Sequence, residues 1–190
     1  MSTLVELIQS RRTVQSFTTE KVPSEILKKA VELGSYAPNH KLTHPWRFFL
    51  ANESLRNDLA EIQVELKAAK SGPLSEAAAN ALRKKIKEEG ALIIAGVKKN
   101  SDPTREKEDY ASLACALQNM ALYLWSEGYG SKWGSGKVIH HPKVYEALGE
   151  SKDNFSVEAF FWVGKAAAPT RDLVPDRKKL LETIYTVLPG

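Results

Sequence analysis

The stretch SYAPNHKLTHPWRFFLA, residues 35–51, decides how the chain is read. Its middle, Asn39-His40-Lys41 with Thr43-His44, is polar and is bracketed by Pro38 and Pro45. Pro38 disfavours a helical Ala37, so the preceding helix has to stop near Gly34–Tyr36. That helix opens at Pro23-Ser24, with Ser24 as the expected N-cap, and carries Leu27, Ala30 and Val31 on one stripe. On the far side, Trp46–Ala51 reads as a strand. A polar loop held between two rigid elements is a common place for chemistry, and equally a common solvated turn.

Outward from this stretch the chain alternates irregularly between helices and short apolar strands. Thr3–Ser10 reads as a short helix running into Arg11-Arg12-Thr13, and Phe17–Val22 as irregular. Glu53–Lys70 is amphipathic, with Leu55, Leu59, Ile62, Leu66 and Ala69 aligned, and Ser71-Gly72-Pro73 breaks it. A polar helix follows over 74–89. Ala91–Val97 and Val157–Val163 are short apolar runs, the pattern of buried strands. Between them, after a polar loop at 99–105, Glu106–Gly128 is the strongest helix. Its apolar stripe runs from Tyr110 to Trp125, and Cys115 is expected within its buried face as a small core residue. A short helix is expected near Lys143–Leu148 and a last one near 176–187. The expected class is α+β: a central, mostly antiparallel sheet of four or five strands flanked by helices, in one domain over residues 1–190. The C-terminal tail after the last core strand is long enough to pack on its own domain or to embrace a partner subunit.

Composition narrows the functions. The chain has 190 residues, 43% hydrophobic and 26% charged, with 27 basic and 23 acidic residues and a net charge of +4. The lysines are dispersed and not interleaved with aromatics, which argues against nucleic acid. No apolar run approaches the length of a membrane span, and the N-terminus lacks a signal-peptide pattern. With Cys115 as the single cysteine there is no internal disulfide, and a reducing, cytoplasmic setting is expected.

Three clusters carry candidate chemistry. Arg11-Arg12-Thr13 sets two planar guanidiniums beside a hydroxyl, a clamp for phosphate or carboxylate; two arginines also suit a helix C-terminus and its dipole. Asn39, His40 and the rest of the 39–44 cluster offer donors to a ligand, but no HExxH spacing or carboxylate makes them a metal site. Trp133-Gly134-Ser135-Gly136 lets backbone approach a flat ligand closely, or is simply a strand end and turn. It is neither a Walker loop nor a GxGxxG fingerprint. His140-His141-Pro142 reads as a surface turn. No nucleophile triad or paired-carboxylate signature stands out, so the chemistry is expected to reside in a cofactor.

Taken in order, these motifs resemble those of the nitroreductase family, in its small single-domain branch. The resemblance rests on Arg11-Arg12-Thr13 after an early helix, and on Ala37-Pro38-Asn39 followed by Pro45-Trp46-Arg47-Phe48. It continues through Gly128-Tyr129-Gly130, Trp133-Gly134-Ser135-Gly136 and a final strand ending in Gly164. It implies an α+β homodimer with FMN at the subunit interface and NADH or NADPH as donor. Hydride would pass by way of flavin N5, in ping-pong order, to nitroaromatic, quinone or related electrophilic acceptors. It implies that Arg11, Arg12 and Thr13 hold the phosphate and ribityl chain, and that Trp133, Gly134 and Ser135 line the ring edge. Tyr36, Asn39 and His40 would come from the other subunit, and segment 123–128 would lie near the nicotinamide. Tyr36 and Gly134 stand where close relatives often carry arginine, with Lys41 or Lys132 to compensate; Lys165 and Arg171 are the stand-ins for the basic pair that larger members place near the C-terminus. The same resemblance covers dehalogenation, flavin breakdown and a non-catalytic flavin-binding dimer, with the helical insert at 67–89 as a possible substrate lid.

Overall fold

The computed structural model describes residues 3–170 and 184–186. Four strands form one sheet in the order β1-β2-β4-β3: β1 Trp46–Leu50, β2 Ala91–Lys98, β3 Gly130–Gly134 and β4 Phe155–Gly164. Every neighbouring pair is antiparallel. β2 and β4 lie inside and are buried along nearly their whole length, which is why they read as continuous apolar runs. A register shift at Ala95/Gly96 reverses the alternation in β4. Phe155 and Val157 before it, and Ala159 and Phe161 after it, therefore face opposite sides.

One face of the sheet carries α2 (Ser24–Gly34) and α5 (Pro103–Ser126), packed through Leu27, Ala30, Leu113, Leu117 and Met120 against Ile93, Ala95 and Phe161. The other carries α3 (Glu53–Ser71), α4 (Glu76–Glu88), a 3-10 turn at Lys137–His140 and α6 (Pro142–Leu148), packed on Leu92, Ile94 and Phe160. α1 (Leu4–Ser10) closes its N-terminus with a capping box, Thr3 and Glu6 each bonding the other's backbone. It buries no residue, and its Leu4, Val5 and Ile8 are exposed.

Several expectations are corrected. Pro23, not Ser24, occupies the cap position of α2, and Ser24 is its first helical residue. α5 begins three residues before Glu106, because Asp102 caps Thr104 N–H and Pro103 fits the first turn, where its missing N–H costs nothing. Cys115 is exposed, not in the core. It lies with Ala111 and Gln118 on a face of α5 turned away from the sheet. Ala69 is likewise exposed at the end of α3. The 67–89 segment packs on α3: Ala79 and Ile86 of α4 are buried, and Arg56 on α3 donates to the Ile86, Glu89 and Gly90 carbonyls at 2.8, 2.6 and 2.7 Å. Those bonds satisfy carbonyls that the end of α4 would otherwise leave open. Burial pushes the Arg56 guanidinium below its usual value, with Glu89 opposing. Arg171 and the helix expected at 176–187 fall largely outside the described residues.

Candidate active site at the outer edge of the sheet

The first arginine cluster and the glycine-rich cluster, more than a hundred residues apart in sequence, meet at the β3 edge. Thr13 bridges Ser131 in parallel, and Val14 N–H donates to the Ser131 carbonyl at 3.1 Å. The approach needs Gly130, since a Cβ there would stand 2.1 Å from Val14 Cγ2. The chain then runs on past Gln15 and Phe17, whose N–H donates to Glu89 Oε2 at 2.9 Å. Arg11 is half-buried and its guanidinium makes no hydrogen bond or ion pair with the described residues. Arg12 Nη1 donates to the Gln9 and Arg11 carbonyls at 2.6 and 3.0 Å, the helix-terminus role.

Beside this edge, on the α3/α4 face of the sheet, lies a cavity of about 320 Å³. Phe160 and Trp162 of β4 line it, with Leu59, Leu82 and Ile86 from the helices. Its polar groups are Gln15, Gln63, Lys85, Glu89 and Lys132. Gly134 and Gly136 leave it open: a Cβ on Gly134 would meet only ordinary contacts with Phe160 and Trp162, and one on Gly136 would meet nothing. Burial, then the nearby Lys85, pushes the Lys132 ammonium below its usual value, and Glu89 partly opposes this. An apolar slot with cations at its rim suits a flat ligand that carries negative charge or carbonyl oxygens on one edge. No local pattern marks Lys85 or Gln63 as site residues, and Lys132 is legible only as a basic residue near the glycines.

Trp133 alternates to the opposite face and donates from Nε1 to the Glu158 carbonyl at 3.3 Å; Ser135 is exposed just past the strand. Of the nine expected site residues, Arg11, Arg12, Thr13, Trp133, Gly134 and Ser135 therefore gather at the β3 edge.

Tyr36, Asn39 and His40 do not. They lie beside β1, the other edge strand, at the opposite end of the sheet, since Trp46 pairs with Val97 whereas Ser131 lies in the row of Val163 and Ala91. Three strand spacings across and six residues along separate the two groups, about 14 Å by about 20 Å. Tyr36 is 76% exposed and His40 is exposed without a hydrogen bond to the described residues. Asn39 is occupied within its own loop: its Oδ1 accepts from His44 N–H at 2.8 Å and its Nδ2 donates to Thr43 Oγ1 at 3.0 Å. Thr43 in turn donates to Asp109 Oδ1 at 2.7 Å, and Ser112 Oγ donates to the Pro38 carbonyl at 2.6 Å. Asp109 and Ser112 were missed in the sequence. Their signal was available: two polar residues three apart, in line with the apolar stripe of α5.

The nitroreductase family model matches residues 8–165. The chain belongs to the nitroreductase family. Among curated relatives it is 27% identical over 180 residues to the Bacillus subtilis protein named "Putative NAD(P)H nitroreductase YfhC", covering 90% of this chain and 92% of that one. Among solved structures, a nitroreductase-like family protein from Bacillus cereus has a TM-score of 0.79 at 23% identity, covering 100% and 98% of the two chains. A Desulfovibrio desulfuricans protein described as a "putative nitroreductase in complex with fmn" has a TM-score of 0.72 at 20% identity, covering 100% and 99%. The expected α+β architecture is the one found. Among the described residues no helix is long and apolar enough to cross a membrane, and no group of three or more His, Cys, Asp or Glu is arranged to hold a metal.

Proposed function

We propose that this nitroreductase is an FMN-dependent oxidoreductase that takes hydride from NADH or NADPH and delivers it, in ping-pong order, to nitroaromatic, quinone or related electrophilic acceptors. The observation that carries the reading is the slot beside β3, with arginines along the same edge and lysines at its rim. Its donor set fits FMN, whose phosphate calls for guanidiniums and whose flat ring calls for apolar walls and a bare glycine edge. Bound there, FMN supplies the hydride chemistry at N5.

The chain's own residues bind and orient. Arg11 and Arg12 neutralise the phosphate, with Thr13 beside them. Gly134 and Ser135 border the ring, and Trp133, its indole on the other face of β3, contributes its backbone there. Lys132 and Lys85 hold positive charge against the slot, standing in for the arginines that Tyr36 and Gly134 replace. Tyr36, Asn39 and His40 complete the site from a second copy, because a ligand at the β3 edge lies too far from the β1 corner of its own chain. The working unit is accordingly one FMN-binding domain per subunit in a homodimer, acting in the cytoplasm.

The test begins with FMN titration of the purified protein, followed by anaerobic bleaching with NADH or NADPH. Arg11→Ala is expected to weaken FMN about ten- to a hundredfold, the worth of one charged hydrogen-bonding group, while riboflavin affinity is unchanged. Equal FMN affinity in that variant defeats the phosphate assignment. A protein that binds no FMN at all, or that scatters light as a monomer while fully loaded, defeats the reading itself.

A further inference from the structure

The loop that carries His40 is held in an expensive shape. Lys41, Leu42 and His44 have φ of 61°, 51° and 43°, a left-handed region that side chains with a Cβ adopt at a cost. Three such residues in four persist only where surrounding contacts over-determine them. Those contacts converge on one carboxyl. Asp109 is 3% exposed on α5 and accepts from Thr43 Oγ1 at 2.7 Å and, at the limit of a hydrogen bond, from Asn39 Nδ2 at 3.5 Å. Asn39 passes the constraint on to His44 N–H, and Ser112, one turn along α5, fixes the Pro38 carbonyl. The loop is thus bolted to the longest helix of the sheet's packed face, while His40 itself is left exposed.

We propose that Asp109 is a positioning residue: it imposes the strained conformation of the 38–44 loop through Thr43 and Asn39, and so sets the geometry with which His40 meets FMN in the partner's site. The proposal rests on the shared-site reading above. It explains why a buried acid interrupts the apolar stripe of α5, and why Asn39 spends its amide inside the loop. A buried carboxyl with no partner would be costly, so the hydroxyl and amide are needed as much by Asp109 as by the loop.

Hydrogen exchange read by mass spectrometry, on the purified protein with and without FMN, separates the two parts. Asp109→Ala, which removes the acceptor that an asparagine would keep, and Thr43→Val are expected to speed exchange across residues 39–44 at least tenfold, leave α3 unchanged, and weaken FMN about tenfold. Thr43→Ser, which keeps the hydroxyl, is expected to match the unsubstituted protein in both. His40→Ala is expected to weaken FMN without altering loop exchange, and to add nothing further in the Asp109→Ala background. Unchanged loop exchange in Asp109→Ala and Thr43→Val overturns the clamp. Faster exchange throughout α3 as well reduces Asp109 to a structural residue and overturns its positioning role. Faster loop exchange with FMN affinity unchanged, while His40→Ala weakens it, overturns the link from clamp to ligand. If His40→Ala leaves FMN affinity unchanged, the shared-site reading fails and the positioning role falls with it, whatever the loop exchange shows.

Discussion

Gly130→Ala probes the join between fold and site. The added Cβ would lie 2.1 Å from Val14 Cγ2 and 2.9 Å from Val14 Cβ, against a comfortable carbon–carbon separation of about 3.5–4.0 Å. Rotating the valine does not help, because its Cβ is itself too close. The backbone has to part by something over an ångström, and Val14 is 2% exposed with its N–H on Ser131. Overpacking of this kind costs about 1–3 kcal/mol, and losing the Val14 N–H bond adds about 1 kcal/mol. The expected loss is therefore roughly 2–4 kcal/mol in urea denaturation followed by tryptophan fluorescence, with weaker FMN binding because Arg11–Thr13 move with Val14. Val14→Ala alone removes two buried methyls, about 1.6 kcal/mol. In the double variant the closest clash, with Cγ2, is gone while the tight Cβ contact stays, so its loss should fall short of the sum of the singles by about 1 kcal/mol. A stable Gly130→Ala, or strictly additive losses, refutes the packing argument.

Lys132 gives a pH signature. Its folded-state pKa is depressed, so the unfolded chain holds that proton more tightly, and stability should rise with pH across the window just below the ordinary lysine value. Lys132→Met should then stabilise the flavin-free protein most at neutral pH and progressively less toward that value, measured as urea midpoints at two pH values; a pH-independent difference contradicts the assignment. Subunit mixing tests the shared site. Dimers of Arg11→Ala with His40→Ala carry both lesions in one site and none in the other, so half of the mixed sites should regain unsubstituted FMN affinity, and no recovery means that both residues serve the same subunit's site.

The fold was legible where one force dominated. β2 and β4 are apolar runs because both faces are covered, and α3 keeps its stripe because only one side is. β3 was not legible as a strand. GSKWG has two glycines and little β propensity, and it is extended because β4 pairs with it along its whole length. Cys115 misled for a related reason: small residues on both flanks of a central helix look equally buried, and only packing shows that one flank faces away from the sheet. For the site, motif order along the chain pointed to the six residues now found together at the β3 edge. The cavity beside them was beyond reach, because Gln15, Gln63, Lys85 and Lys132 come from four separate segments and no local pattern links them.

The separation of the two residue groups is itself an argument about assembly. Within one chain, Arg11–Thr13 and the His40 loop occupy opposite corners of a four-stranded sheet, and β2 and β4, buried on both faces, fill the space between them. No rotation of a side chain spans that gap. Yet the His40 loop bears every mark of a part built for presentation: three left-handed residues, a buried acid to hold them, and an imidazole left outside. In a two-fold dimer a contact between one copy's β3 corner and the other's β1 corner occurs twice, completing two sites from one interface. The exposed apolar side chains at these places, Tyr36, Leu42 and Tyr110 near the loop and Leu4 and Ile8 on α1, are then the surface that the contact would cover.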